Sequence, residues 1–144
     1  MALEKTLATL KIDGLKDRAV TDYSYTFNVA VNADNLPVGS PRGGKLYVKV
    51  EAFVLEANSE LLQWMVTKRA KNGSLEIMVP SESDKLLKTI KFENAYCCDY
   101  KETWSDIVKN DIGEITKPSA NFEEIWIAWE KFDLNGAQSV NKRA

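Results

Sequence analysis

The sequence predicts a mostly-β chain, a small barrel or two-sheet sandwich with one flanking helix. Three observations carry this. Apolar residues recur with period two through most of the chain, about six runs show that alternation, and one segment switches to helical spacing.

The N-terminal run "TLATLKI" is the first predicted strand. In "VTDYSYTFNVAV", Tyr23, Tyr25, Phe27, Val29 and Val31 share one face, and Asp22, Ser24, Thr26 and Asn28 share the other. "KLYVKVEA" alternates Leu46, Val48 and Val50 inward with Lys45, Tyr47, Lys49 and Glu51 outward. "GSLEIMV" repeats the pattern with Leu75, Ile77 and Val79 after a turn at Asn72-Gly73, and Pro80 ends it. "KTIKFENAYCCDYKE" is a longer strand, with Ile90, Phe92, Tyr96, Cys98 and Tyr100 on one face, interrupted at Asn94. Lys91, Glu93, Cys97, Asp99 and Lys101 take the other. In "EEIWIAWEKFDL" both faces are apolar, Ile125, Ile127 and Trp129 opposite Trp126 and Ala128. Such a strand is covered on both sides, and in a chain this small the second cover could be another copy. The one helical segment is "NSELLQWMVTK". Leu61, Leu62, Met65 and Val66 form its apolar stripe, Asn58 or Ser59 is its N-cap, and Trp64 lies to the side and partly exposed.

Two segments read as long loops, residues 32–44 and 105–121. Loops of that length are commonly functional or ordered by a partner. The polar tail from Asn135 reads as frayed unless contacts pin it. At 144 residues the chain is expected to be one domain, 1–144, with a sizeable core.

Composition narrows the chemistry. Nineteen Lys and Arg against 21 Asp and Glu give a net charge of −2, which supplies no argument for nucleic acid or an anionic membrane. No run approaches the length needed to span a bilayer, and the charged N-terminus reads as cytosolic protein with no signal peptide. The chain has no histidine, which removes Ser-His-Asp and Cys-His catalysis and imidazole metal ligation together. No catalytic, cofactor or metal residue is expected, and the chain is not read as an enzyme. Adjacent Cys97 and Cys98 point to opposite faces of a strand, so they read as reduced, strand-filling thiols. Carboxylate pairs such as Glu123-Glu124 read as solvated. Gly43-Gly44 precedes a strand and matches neither nucleotide fingerprint, so it reads as turn or bulge chemistry. The alternative kept open is a small-molecule-binding barrel, suggested by Tyr23, Tyr25, Phe27 and the tryptophans.

Read in order, "PRGGKLYVKVEA", "LLQWMVTKRAKNGSLEI" and "LLKTIKFENAYCCDYKETW" resemble the haemolysin-coregulated (Hcp, TssD) tube protein of the type VI secretion system, in its Bacteroidetes form. The match covers roughly residues 20–104. It departs at 34–37, where Asp34-Asn35-Leu36-Pro37 replaces the family's usual Asp-x-x-Gly-Arg-Pro. The resemblance implies a small barrel in hexameric rings that stack into a tube driven by a contractile sheath. It also implies spike and baseplate partners, small effector proteins in the lumen, and release from the bacterial cytoplasm on firing. By position, Asn35, Leu36, Pro37, Pro41, Arg42, Gly43 and Gly44 would form the loop between the second and third strands that touches a neighbouring subunit or ring. Glu60, Gln63, Trp64 and Lys68 would mark an outward, sheath-side helix. Trp126 and Trp129 would lie on a subunit-edge strand.

Overall fold

A computed structural model of the chain describes residues 8–52, 59–79, 82–105, 108–109, 112–113, 115–117 and 120–140. Asn58, Pro80, the tail beyond 140 and parts of the 105–121 segment lie outside them, as do the side chains of Pro41 and Arg42. The strands are β1 (Ala8–Ile12), β2 (Arg18–Ser24), β3 (Phe27–Val31), β4 (Pro37–Gly43), β5 (Leu46–Glu51), β6 (Lys71–Val79) and β7 (Glu82–Ser105). They continue with β8 (Val108–Lys109), β9 (Ile115–Lys117), β10 (Ala120–Ala128), β11 (Lys131–Leu134) and β12 (Ala137–Val140); helix α1 is Glu60–Thr67.

The hydrogen-bonded order β10-β5-β2-β1-β6-β7 closes on itself, because β7 also pairs with β10. The first part of β7 pairs with β6 and its last part, Tyr96–Ser105, with β10. A walk round the six strands therefore returns to β7 further along its length, which is the stagger any closed barrel needs. All these pairings are antiparallel. β11 and β12 extend the sheet on the β7 side.

Alternation fills the interior as expected. Leu10, Leu46, Val48, Val50, Leu75, Ile90, Ile125 and Ile127 have no exposed surface, so side chains pack the barrel where a ligand would otherwise sit. The long strand departs from its expected phase. Ile90 and Phe92 are buried, but so are Ala95 and Cys97, while Cys98 is exposed. The cause is a bulge at Asn94, whose backbone takes φ 52°; its N–H bonds Asn72 Oδ1 at 2.9 Å and its amide bonds Glu130 Oε2 at 2.8 Å. Asn72-Gly73 is likewise part of β6 and not a turn before it. A Cβ on Gly73 would lie 2.6 Å from the Lys11 carbonyl and 2.7 Å from the Phe92 ring, so the glycine lets that ring cross the strand.

Two other expectations change, and the tail proves to be held by pairing. Residues 20–31 are not one strand; the chain breaks at Tyr25-Thr26 into β2 and β3. Residues 32–44 are not a loop, because β3 and β4 form a two-stranded arm with Ala30 opposite Val38 and Val31 opposite Pro37. The tail forms the β11–β12 hairpin over Asn135-Gly136, both at positive φ (48° and 98°), the pair that a tight type I′ turn requires.

Helix α1 buries Leu61 and Trp64, whereas Leu62 and Val66 are 37% and 64% exposed, so its apolar face is rotated from the expected stripe. Trp64 is not outward: its indole Nε1–H donates to the Arg69 carbonyl at 2.7 Å, which satisfies the ring's polar atom inside the core. Ser59 makes no side-chain cap, and the helix ends on Lys68 in the left-handed region.

Candidate assembly surfaces

The arm is exposed along most of its described side chains. Its tip is held locally: Asn32 Oδ1 accepts the N–H groups of Asp34 (2.9 Å) and Leu36 (3.1 Å), and Asn35 takes φ 62° between them. Val31, Leu36 and Val38 are 59%, 58% and 43% exposed, and Asn35 and Pro37 are exposed beside them. Exposed apolar side chains grouped on one hairpin have the chemistry of a docking surface.

The base of the arm is anchored in the core by aromatic rings. Phe27 lies 4.9 Å from Phe132 and 5.6 Å from Trp129, and Trp129 lies 4.8 Å from Phe132, centroid to centroid. Gly43 is what allows this: a Cβ there would fall 1.9 Å from Trp129 Cζ2. Gly44 is open by comparison and donates its N–H to the Thr26 carbonyl at 3.0 Å.

Trp129 thus follows β10, is 2% exposed and belongs to the core, not to a subunit edge. β10 itself is no edge strand, being bonded to β5 on one side and β7 on the other, and β1 is likewise internal. Trp126 does face outward, half-buried against Tyr47 at 5.1 Å between ring centroids. Glu60, Gln63 and Lys68 lie along the outer part of α1, with Glu60 accepting the Lys16 N–H at 3.2 Å. Leu62 and Val66 are the exposed helix residues that the sequence reading placed inside.

Burial of Glu123 contradicts its reading as a solvated carboxylate. Arg18 Nη2 donates to Glu123 Oε1 at 2.5 Å and to the Glu51 carbonyl at 2.8 Å, and Tyr100 Oη donates to Glu123 Oε2 at 2.7 Å. These contacts tie β2, β5, β10 and β7, consecutive strands of the barrel, through one carboxylate. The signal for it was phase, since Glu123 falls in register with inward Ile125 and Ile127. Outside the barrel, the Lys45–Asp99 pair at 3.0 Å raises the lysine above its usual range, the hydrogen bond being the main cause. Among the described residues no cluster of Cys, Asp and Glu is arranged to hold a metal ion.

Buried Cys97 and half-buried Tyr100 set an alkaline limit on stability. Burial, then the hydrogen bond to Glu123, pushes the Tyr100 hydroxyl above its ordinary value of 10.0. Burial pushes the Cys97 thiol from 9.0 up to about 12. Both groups are raised in the folded state, so their contribution is complete below the unfolded values and is lost as pH rises above them. The urea midpoint is expected to hold steady to about pH 9 and then fall. In Tyr100→Phe the fall above pH 10 should be shallower; an identical profile would show that the phenol carries none of it.

A filled barrel that also carries an exposed apolar arm and a helix with exposed Leu62 and Val66 has its free apolar surface on the outside, not in an interior pocket. The chain belongs to the haemolysin-coregulated protein (Hcp, TssD) family, whose family model matches residues 4–142. Its structure is similar to that of Hcp1 from Flavobacterium johnsoniae, with a TM-score of 0.74 and 26% identity over 94% of this chain and 99% of that one. The fold is also that of Hcp2 from Salmonella typhimurium (TM-score 0.63, 12% identity, 94% and 96% covered). A subunit of the anti-feeding prophage baseplate shares it more distantly, with a TM-score of 0.53 and 15% identity over 94% and 96% of the two chains. Comparison with curated protein sequences returns no match.

Proposed function

We propose that this type VI secretion tube subunit closes into hexameric rings that stack into the inner tube, as a single-domain structural protein without catalytic activity. The observation that carries the reading is the exposed apolar arm on a chain of this family. A ring repeats one heterologous contact until it closes, and obligate rings bury large, fairly apolar surfaces. Val31, Leu36 and Val38 supply such a surface, with Asn35 and Pro37 beside them; Pro41 and Arg42 follow on β4, and Gly43 and Gly44 set the arm on the barrel. Trp126 and Tyr47 form a second aromatic surface for a neighbouring subunit.

The exposed part of α1, Glu60, Gln63 and Lys68 with Leu62 and Val66, is the surface for the contractile sheath. Spike and baseplate proteins are the partners at the tube ends, small effector proteins are carried in the lumen, and the tube is released from the cytoplasm on firing. The packed interior, with Val48, Ile90 and Ile125 fully buried, leaves the small-molecule-barrel reading without support.

The test is to place acids on the arm, away from the core. Leu36→Asp with Val38→Asp is expected to leave the thermal midpoint nearly unchanged while light scattering shows loss of the ring. Rings that form as well as wild type would show the arm to be a passive hairpin.

A further inference from the structure

The chain holds two Asn-Gly pairs, Asn72-Gly73 and Asn135-Gly136, and the fold treats them differently. Asn-Gly is the dipeptide most open to one covalent change, because glycine has no side chain to hinder its own backbone nitrogen. That nitrogen attacks the Asn Cγ, a C–N bond forms, and the Cγ–Nδ2 bond breaks. Ammonia leaves with the proton of the attacking N–H. Water then opens the cyclic imide at either carbonyl, giving aspartate or isoaspartate, the latter with an extra methylene in the backbone.

Asn72-Gly73 is locked in the barrel wall. Gly73 stands opposite Ile12 of β1 and Phe92 of β7, and Asn72 Oδ1 is held by the Asn94 N–H at 2.9 Å. Asn135-Gly136 instead forms the exposed turn of the β11–β12 hairpin, with nothing within 4 Å of a Cβ placed on Gly136. β12 ends the sheet order, with β11 as its one neighbour there. Such a hairpin opens more readily than a strand paired on both sides.

In the closed hairpin both reacting groups are tied down. The Gly136 N–H donates to Asp133 Oδ1 at 2.7 Å, and Gln138 Nε2 donates to Asp133 Oδ2 at 3.0 Å. Asn135 Oδ1 accepts the Thr89 N–H at 2.9 Å and the Asn135 N–H donates to the Thr89 carbonyl at 3.3 Å, which fixes the side chain against β7. To attack, the Gly136 nitrogen must shed its proton, and a carboxylate at hydrogen-bond distance opposes the negative charge it would then carry. The bond from Gly136, then that from Gln138, holds the Asp133 carboxyl below its ordinary value of 3.8, so the carboxylate is in place at neutral pH.

We propose that Asn135 is a site of covalent modification by ammonia loss, and that Asp133 guards it by holding the Gly136 N–H. Modification waits on opening of the hairpin and then prevents its closing. The extra methylene of isoaspartate does not fit a two-residue turn whose residues sit at φ 48° and 98°. β12 also runs near β4, so a hairpin that cannot close removes a neighbour of the arm.

Peptide mapping by mass spectrometry tests this on the full chain aged in warm, mildly alkaline buffer. Wild type is expected to change first at Asn135, with Asn72 intact. Asp133→Ala is expected to speed the change at Asn135 several-fold and to leave Asn72 unmoved. Acceleration at both positions would show loss of the whole fold and overturn a local guard. An unchanged rate at Asn135 in Asp133→Ala would also overturn the guard, and earlier change at Asn72 would overturn the site. Gln138→Ala keeps the bond between Gly136 and Asp133 and is expected to age like wild type; a rate matching Asp133→Ala would overturn the role of that bond. In the isolated isoaspartate form, hydrogen exchange at the Thr89 N–H is expected to quicken. Unchanged protection there would overturn the link from the turn to β7.

Discussion

Arg18→Met is expected to cost about 3–5 kcal/mol of unfolding free energy, the largest single effect in the molecule. Arg18 is 3% and Glu123 1% exposed, and removing the guanidinium leaves a carboxylate inside the barrel with Tyr100 as its remaining side-chain partner at 2.7 Å. Glu123→Leu is expected to be comparably damaging, because it removes the carboxylate that neutralises the buried guanidinium. Arg18→Met, Glu123→Leu and Tyr100→Phe combined should recover most of the loss, since apolar side chains of similar volume remove the buried charges altogether. Urea unfolding of the single and combined variants measures this. A combined variant as unstable as the sum of its parts would show that the cluster acts through packing and not through charge.

Gly43→Val is the second. The 1.9 Å approach of its Cβ to Trp129 forces either the ring or the arm to move, an overpacking cost of about 1–3 kcal/mol or more. Gly44→Ala is the control, because its Cβ meets Thr26 Oγ1 at 3.4 Å and little else, and it is expected to be nearly neutral. Gly43→Val should lose thermal stability and ring formation together, since the arm is seated on the displaced ring. Equal effects at the two glycines would remove the distinction.

What was legible in the sequence follows from which contacts are local. β5 and the inward residues of β10 kept simple period two, so Leu46, Val48, Val50, Ile125 and Ile127 could be placed from the sequence alone. The ordered motifs from Pro41 to Trp104 carried the family. Bulges at Asn94 and Leu87 were hidden, because they serve the register of partner strands that no local pattern encodes. The arm read as a loop for a related reason: β4 is Pro-Val-Gly-Ser-Pro-Arg-Gly, with poor strand propensity, and it holds its form by pairing with β3. Trp64 was misplaced by choosing Leu61–Leu62–Met65–Val66 as the stripe, when its Nε1–H has a carbonyl waiting at Arg69. The edge role given to Trp129 failed because a closed barrel leaves β10 no free edge.

Assembly of the wild-type protein is read by light scattering with negative-stain imaging of the same sample. A particle of six times the 16.2 kDa chain mass is expected, seen end-on as a ring with an open centre and side-on as stacks at higher concentration. A particle that stays at the mass of one chain over a wide concentration range would contradict it.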